Sequence, residues 1–186
     1  LLCDVEIGTS AVLTVLAGAF PADAGLGAGA PRVEIIPAPE ELARVQAQVT
    51  QFIEPSGEDV DITRVPVLVS VGRGIQRKEN LPLAEELAGL LGGAVCASRP
   101  VIDQGWLPLS RQVGKSGMTV KPSLYLALGI SGAPEHLEGM RNAELIVAIN
   151  TDAGAPIFNV AHYGIVADMF EVIPALMDQL RQRKAA

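Results

Sequence analysis

The stretch GISGAPEHLEGM, residues 129–140, overlaps the end of a very apolar run, SLYLALGI. A glycine-flanked Ser131 and, five residues on, His136 stand where a buried strand gives way to a loop and a short helix. Three other apolar runs end in comparable turns. VPVLVSV is followed by Gly72-Arg73-Gly74, GAVCAS ends at Ser98-Arg99, and ELIVAIN leads into Asn150-Thr151-Asp152. Glycines, small hydroxyls, an amide and arginines are the groups that hold an anion, most simply a phosphate, through backbone N–H and guanidinium donors. The chemistry they suit is binding. The sequence contains no GxGxxG fingerprint, no P-loop, and no convincing nucleophile, acid–base pair or metal cluster.

The elements that carry these turns alternate. Each run is apolar on both faces, as a strand covered on both sides must be. ENLPLAEELAGLLGG places Leu83, Leu87, Leu90 and Leu91 on one helical stripe. A short helix is expected from Pro134 to about Arg141. A longer one is expected from Asp168 to Arg183, with Phe170, Ile173, Leu176, Met177 and Leu180 at helical spacing and Pro174 starting its last portion. The pattern predicts an α/β fold, a Rossmann-like doubly wound parallel sheet over residues 63–186. In such sheets the ligand crevice lies beyond the carboxyl ends of the strands, so all four turns should meet there. Residues 1–62 read differently, as short β-like runs (AVLTVLAGAF, PRVEIIP, RVQAQVTQFIEP) followed by an acidic linker, EPSGEDVDIT. They are expected to be the β-rich end of another domain.

Composition narrows the function. Of 186 residues 49% are apolar and 4% aromatic, which suits a layered α/β core better than an aromatic-rich β-sandwich. A net charge of −7 argues against nucleic acid as a partner. No apolar run reaches about 18 residues, so no membrane insertion is expected. Cys3 and Cys96 are far apart without metal-ligand spacing. Cys96 reads as a reduced core thiol in a reducing compartment. The opening Leu1-Leu2, without Met, is what a fragment or processed product would show.

Six stretches taken together, VSVGRGIQRKENL, ASRPVIDQGWLP, RQVGKSG, KPSLYLALGISGAPEHLEGM, AINTDAGAPIF and YGIVADMFEVIP, resemble the α subunit of electron transfer flavoproteins in order and spacing. The likeness runs from about residue 65 to 180, and residues 1–62 are more loosely similar to the end of that subunit's N-terminal domain. It implies bound FAD with a β subunit closing over it. It also implies an electron carrier, rather than an enzyme with its own substrate turnover. Such a carrier passes single electrons from flavin dehydrogenases, for example acyl-CoA dehydrogenases, to an acceptor such as a quinone oxidoreductase. The setting would be a bacterial cytoplasm or, in a eukaryote, the mitochondrial matrix.

Carried over residue by residue, the resemblance lays Arg99 over the isoalloxazine ring, Ser116 near N5 and His136 toward the C2 carbonyl. Gln112, Gly117 and Ser131 line the flavin and its ribityl chain. Asn150 and Asp168 hold the adenosine portion, and Val113, Gly129, Gly132, Thr151 and Asp152 complete the cofactor site. A protonated or donating His136 and the Arg99 guanidinium would stabilise the negative charge a reduced flavin gains. The chain departs from the family pattern with Ser116 for Thr, Glu135 for Gln, Thr151 for Lys and His162 for Asp. On the residues alone, two alternatives stand: an NAD(P)-binding Rossmann-like domain, and a non-catalytic nucleotide-binding interaction module.

Overall fold

A computed structural model describes residues 60–185 and a few isolated positions before them. The chain divides into two compact units, Leu1–Phe52 and Ile53–Ala186. The β-like runs expected in the first 62 residues lie almost wholly outside the described residues. Ile62, which the sequence reading assigns to that first segment, is buried in a core of the second unit.

The four apolar runs are strands: β1 (Val67–Val71), β2 (Ala94–Ala97), β3 (Leu124–Leu128) and β4 (Leu145–Asn150). A fifth, β5 (Tyr163–Val166), was not expected from the sequence. All pair in parallel, in the order β2-β1-β3-β4-β5. β5 escaped notice because YGIV is short, contains a glycine and is exposed at all four positions. It forms at the sheet edge by pairing with β4, Val147 opposite Tyr163 through Asn150 opposite Val166.

The strands are joined by α1 (Leu81–Leu91), α2 (Arg99–Asp103) and α3 (Pro134–Met140), and α4 (Met169–Ala185) closes the chain. Successive strand residues point to opposite faces. Val69, Val71, Val95, Ala97, Leu126, Leu128 and Ile149 pack in one core with α1, Val101 of α2, and α4. Leu68, Cys96, Tyr125, Ala127, Ile146 and Ala148 face the other, against Ile62, Val120, Met140 and Ile157. The doubly wound expectation holds, with apolar residues buried on both faces.

Two helix details differ from expectation. In α1 the fully buried positions are Leu81, Ala84, Leu87 and Ala88, while Leu83, Leu90 and Leu91 are half-buried beside them. Small alanines let the helix approach the sheet closely, and the bulky leucines flank the contact. α4 runs unbroken through Pro174 rather than restarting there. That proline is exposed, so water can take the carbonyl its missing N–H leaves unbonded.

The sheet order places the site. From β1 the chain crosses to β2 on one side, then returns to β3 on the other, leaving a crevice between the ends of β1 and β3. The two turns there touch through backbone. The Gly72 N–H donates to the Leu128 carbonyl (2.9 Å) and the Gly74 N–H to the Gly129 carbonyl (3.1 Å). A Cβ on Gly72 would run into the Gly129 carbonyl, whereas one on Gly89, exposed on α1, would meet open space. Gly72→Ala should therefore cost about 1–3 kcal/mol, as overpacking does. Gly89→Ala should instead gain up to about 1 kcal/mol from helix propensity. Urea melts of the two variants beside the parent chain check the opposite signs.

Candidate functional site

The crevice opens into a cavity of about 770 Å³. Its wall is built from the turns after β1 to β4 (Gly72–Gly74, Ser98–Arg99, Gly129–Ala133, Asn150–Thr151) and from residues 112–116 and 167–169. Eleven expected residues come together there: Arg99, Gln112, Val113, Ser116, Gly129, Ser131, Gly132, His136, Asn150, Thr151 and Asp168. Gly117 and Asp152, expected in the site, do not line it. Gly117 is pressed against the Gln112 carbonyl, where a side chain would collide, and Asp152 accepts the Gly154 N–H (2.9 Å) in an exposed turn.

The segment 112–118 is held to the end of β2. The Val113 N–H donates to the Ala97 carbonyl (2.9 Å), and the Met118 N–H closes the loop on the Gln112 carbonyl (2.7 Å). Gln112 is buried and donates from Nε2 to Ser116 Oγ (2.9 Å), which fixes the hydroxyl at the wall. Asn150 ties two turns together, donating to the Ile130 carbonyl (2.9 Å) and accepting from the Asp152 N–H (3.0 Å). Asp168 accepts the Phe170 N–H (2.9 Å), capping the start of α4.

Three cations line the cavity, Arg73, Arg99 and Lys115, against the carboxylates Glu135 and Asp168. In a chain of net charge −7, this is a local reversal suited to an anion. Arg99 is exposed and pairs with Asp103 (Nε to Oδ2 3.3 Å). The backbone N–H groups of Ser131, Gly132 and Ala133 make no hydrogen bond among the described residues. Arg73, Lys115 and Gln76 were missed as site residues, although the Gly72-Arg73-Gly74 turn itself signalled the first. Gln76 gave no signal. It has φ +67°, and the Arg77 N–H bonds back to the Ile75 carbonyl (2.8 Å), a strained γ-turn in the cavity wall.

His136 departs from expectation. It lines the cavity but is only 6% exposed, and both ring nitrogens are engaged. Nδ1 lies 3.1 Å from the Val113 carbonyl oxygen and Nε2 lies 2.9 Å from the Tyr125 hydroxyl. Burial pushes its pKa down to about 4, only partly opposed by the Val113 carbonyl. The ring is neutral at pH 7, because desolvation outweighs that single hydrogen bond, which removes the protonated alternative of the expectation and leaves the donating one. Burial likewise pushes the Cys96 thiol up to about 12, so it stays an unreactive core thiol. Among the described residues no group of acidic, histidine and cysteine side chains could hold a metal ion, and no helix is long and apolar enough to cross a membrane.

Residues 61–141 match the family model described as the electron transfer flavoprotein FAD-binding domain. The chain carries the FAD-binding domain of the electron transfer flavoprotein α family. Its relatives include the electron transfer flavoprotein subunit alpha of Mycobacterium leprae, 43% identical over 95% of this chain and 55% of that protein. The Methylophilus methylotrophus subunit alpha is 47% identical over 83% of this chain and 48% of its own length. A third, the acryloyl-CoA reductase electron transfer subunit beta of Anaerotignum propionicum, is 45% identical over 79% and 45%. The chain spans about half the length of the curated relatives it matches. Within this flavoprotein domain the matched span holds the turns after β1, β2 and β3 and the 112–118 loop, while Asn150, Thr151 and Asp168 lie beyond it.

The donor set fits FAD. N–H groups at Ser131 to Ala133 without a partner among the described residues, with Arg73, Arg99 and Lys115 lining the same cavity, suit a pyrophosphate, and the cavity has the size class of a cofactor site. The buried histidine in that wall has a testable signature. Between pH 6.5 and about 4 the unfolded chain binds a proton at this ring that the folded chain refuses. Its contribution to stability is therefore complete above pH 6.5 and is lost as pH falls toward 4, by about 3 kcal/mol. Urea melts at stepped pH should show this slope in the parent chain and a flatter one in His136→Gln.

Proposed function

We propose that this chain binds FAD in the cavity at the ends of β1 and β3. As part of a longer α subunit, it then forms the cofactor half of an electron transfer flavoprotein. The observation that carries the reading is that backbone N–H groups without a partner among the described residues and three cations line one cavity at a doubly wound sheet's switch point. When bound, FAD supplies the one-electron redox chemistry, and the protein supplies binding and electrostatics. Ser131, Gly132 and Ala133 offer N–H donors to the pyrophosphate. Arg73, Arg99 and Lys115 offset its charge, and the Ser116 hydroxyl, held by Gln112, stands ready for a ring nitrogen. Asn150, Thr151 and Asp168 take the adenosine side. Gly117 and Asp152 support the site from outside by shaping their loops.

A cleft at a sheet edge leaves part of a flavin open to water, which is the physical reason for a partner. A β subunit closing over it would bury the remaining face. Flavin dehydrogenases would then deliver electrons and a quinone-linked or similar acceptor would take them. A bacterial cytoplasm or a mitochondrial matrix suits such a carrier. The electron-transfer names of the relatives above support this role, as does the FAD-binding description of the matched family.

Titration of the purified chain with FAD, followed by quenching of flavin fluorescence, tests the reading. Saturable one-to-one binding is expected, strengthening when a β subunit is added. A charge-assisted contact is worth roughly 1.5–3 kcal/mol, so Arg99→Ala should weaken binding about tenfold or more. Arg64→Ala, at an exposed ion pair away from the cavity, should leave it unchanged. Absence of saturable binding, or equal loss in both variants, would overturn the proposal.

A further inference from the structure

Behind His136, on the side away from the cavity, lies a polar row buried in the sheet. Tyr125 and Ser70 are both 0% exposed. The Tyr125 Oη is 2.9 Å from His136 Nε2 and 2.7 Å from Ser70 Oγ. On the ring's other side, Nδ1 is 3.1 Å from the Val113 carbonyl oxygen. A carbonyl only accepts, so Nδ1 carries a proton. In the neutral ring Nε2 must then accept, and Tyr125 is its partner among the described residues. Tyr125 has one proton. Two hydroxyls can share their 2.7 Å bond in either direction; with the Tyr125 proton sent to Nε2, Oη accepts from the Ser70 hydroxyl, and the Cys96 thiol lies in hydrogen-bond contact with both.

We propose that Tyr125, backed by Ser70, is a positioning residue for His136, which together with the Val113 carbonyl selects the Nδ1–H tautomer and fixes the ring in the cavity wall. Its functional meaning rests on the reading of that cavity as a flavin site. Tyr125 holds Nε2 in either protonation state. It donates to the neutral ring, and to a charged ring it turns acceptor while its own proton goes to Ser70 Oγ. A ligand therefore meets the imidazole in one orientation. The chain's other histidine provides an internal contrast. His162 Nδ1 accepts the Ile146 N–H at 2.9 Å, so its proton sits on Nε2. The two histidines of the chain should be opposite tautomers, each set by the hydrogen bond its Nδ1 makes.

Nitrogen-15 spectra of the histidine rings, recorded at neutral pH on the full chain without added FAD, test this. His162→Gln assigns the two patterns. His136 should show the Nδ1–H pattern and His162 the Nε2–H pattern. In Tyr125→Phe the Val113 carbonyl alone is left to hold the proton at Nδ1, so part of the population should carry it at Nε2 and the two ring-nitrogen signals of His136 should move toward each other. Ser70→Ala, which keeps the Tyr125 donor, should retain the Nδ1–H pattern. A variant that merely loses packing would lose stability without moving the tautomer. An Nε2–H pattern for His136 in the parent chain, or an unshifted pattern in Tyr125→Phe, would overturn the proposal. Should Tyr125→Phe not fold, the parent chain decides: cross-relaxation between the Tyr125 hydroxyl proton and the His136 ring supports the proposal, and its absence overturns it. FAD is absent from these samples, so failure of FAD titration sinks the flavin reading alone, and a wrong tautomer sinks this one alone.

Discussion

The backbone contact between the ends of β1 and β3 is the constraint on which the site depends. Gly72, Gly74 and Gly129 approach so closely that any side chain on Gly72 would meet the Gly129 carbonyl. That approach is what a parallel sheet with β1 and β3 as neighbours needs if both strands are to end in turns rather than continue. The N–H groups of Gly72 and Gly74 are spent on the neighbouring turn, through Leu128 and Gly129. The next residues of the β3 turn, Ser131 to Ala133, are left with donors that no group among the described residues takes. Anion-binding capacity at this edge follows from how the two turns share their hydrogen bonds.

What was legible in the sequence is what periodicity and turn chemistry report. Four strands apolar on both faces could be read because burial on both sides leaves no polar alternation. Their shared edge followed from the parallel topology. β5 could not be read that way. Its residues are exposed, so no burial pattern marks it, and it exists only because β4 offers an edge. The α1 stripe was misread toward leucines because size, not periodicity alone, decides which positions sit against a sheet. Pro174 misled because a proline's missing donor matters less at an exposed position near a helix start.

The site was legible as a collection of residue types and only partly as a set of roles. Asp152 looks like a ligand-turn residue in the sequence and Gly117 entered the site through the family resemblance, yet both are used within their own loops. Gln76 offers no sequence signal, since a strained φ at glutamine is set by the turn around it. Arg73 was visible only as part of its turn and Lys115 gave no signal, since a charged residue in a loop is ordinarily solvated; both line the same cavity as Arg99. His162 is another residue whose task only the structure shows: its Nδ1 accepts the Ile146 N–H and so ties β4 to the start of β5.

The two faces of the sheet are unequal, and the inequality explains the histidine. The face toward α1 and α4 is aliphatic along every inner strand. The other places Ser70, Cys96 and Tyr125 side by side, Ser70 opposite Cys96 in the β1–β2 register. Polar groups this deeply buried cost several kcal/mol unless each finds a partner. Among the described residues no buried side-chain polar atom lacks one. The row satisfies itself only by ending on something that can both accept and donate, and the His136 imidazole, passing the chain on to the Val113 carbonyl, is that terminus. His136 is thus neutral and fixed for reasons that belong to the core. Its place in the cavity wall makes the same hydrogen-bond chain the route by which the interior of the sheet dictates what a ligand meets.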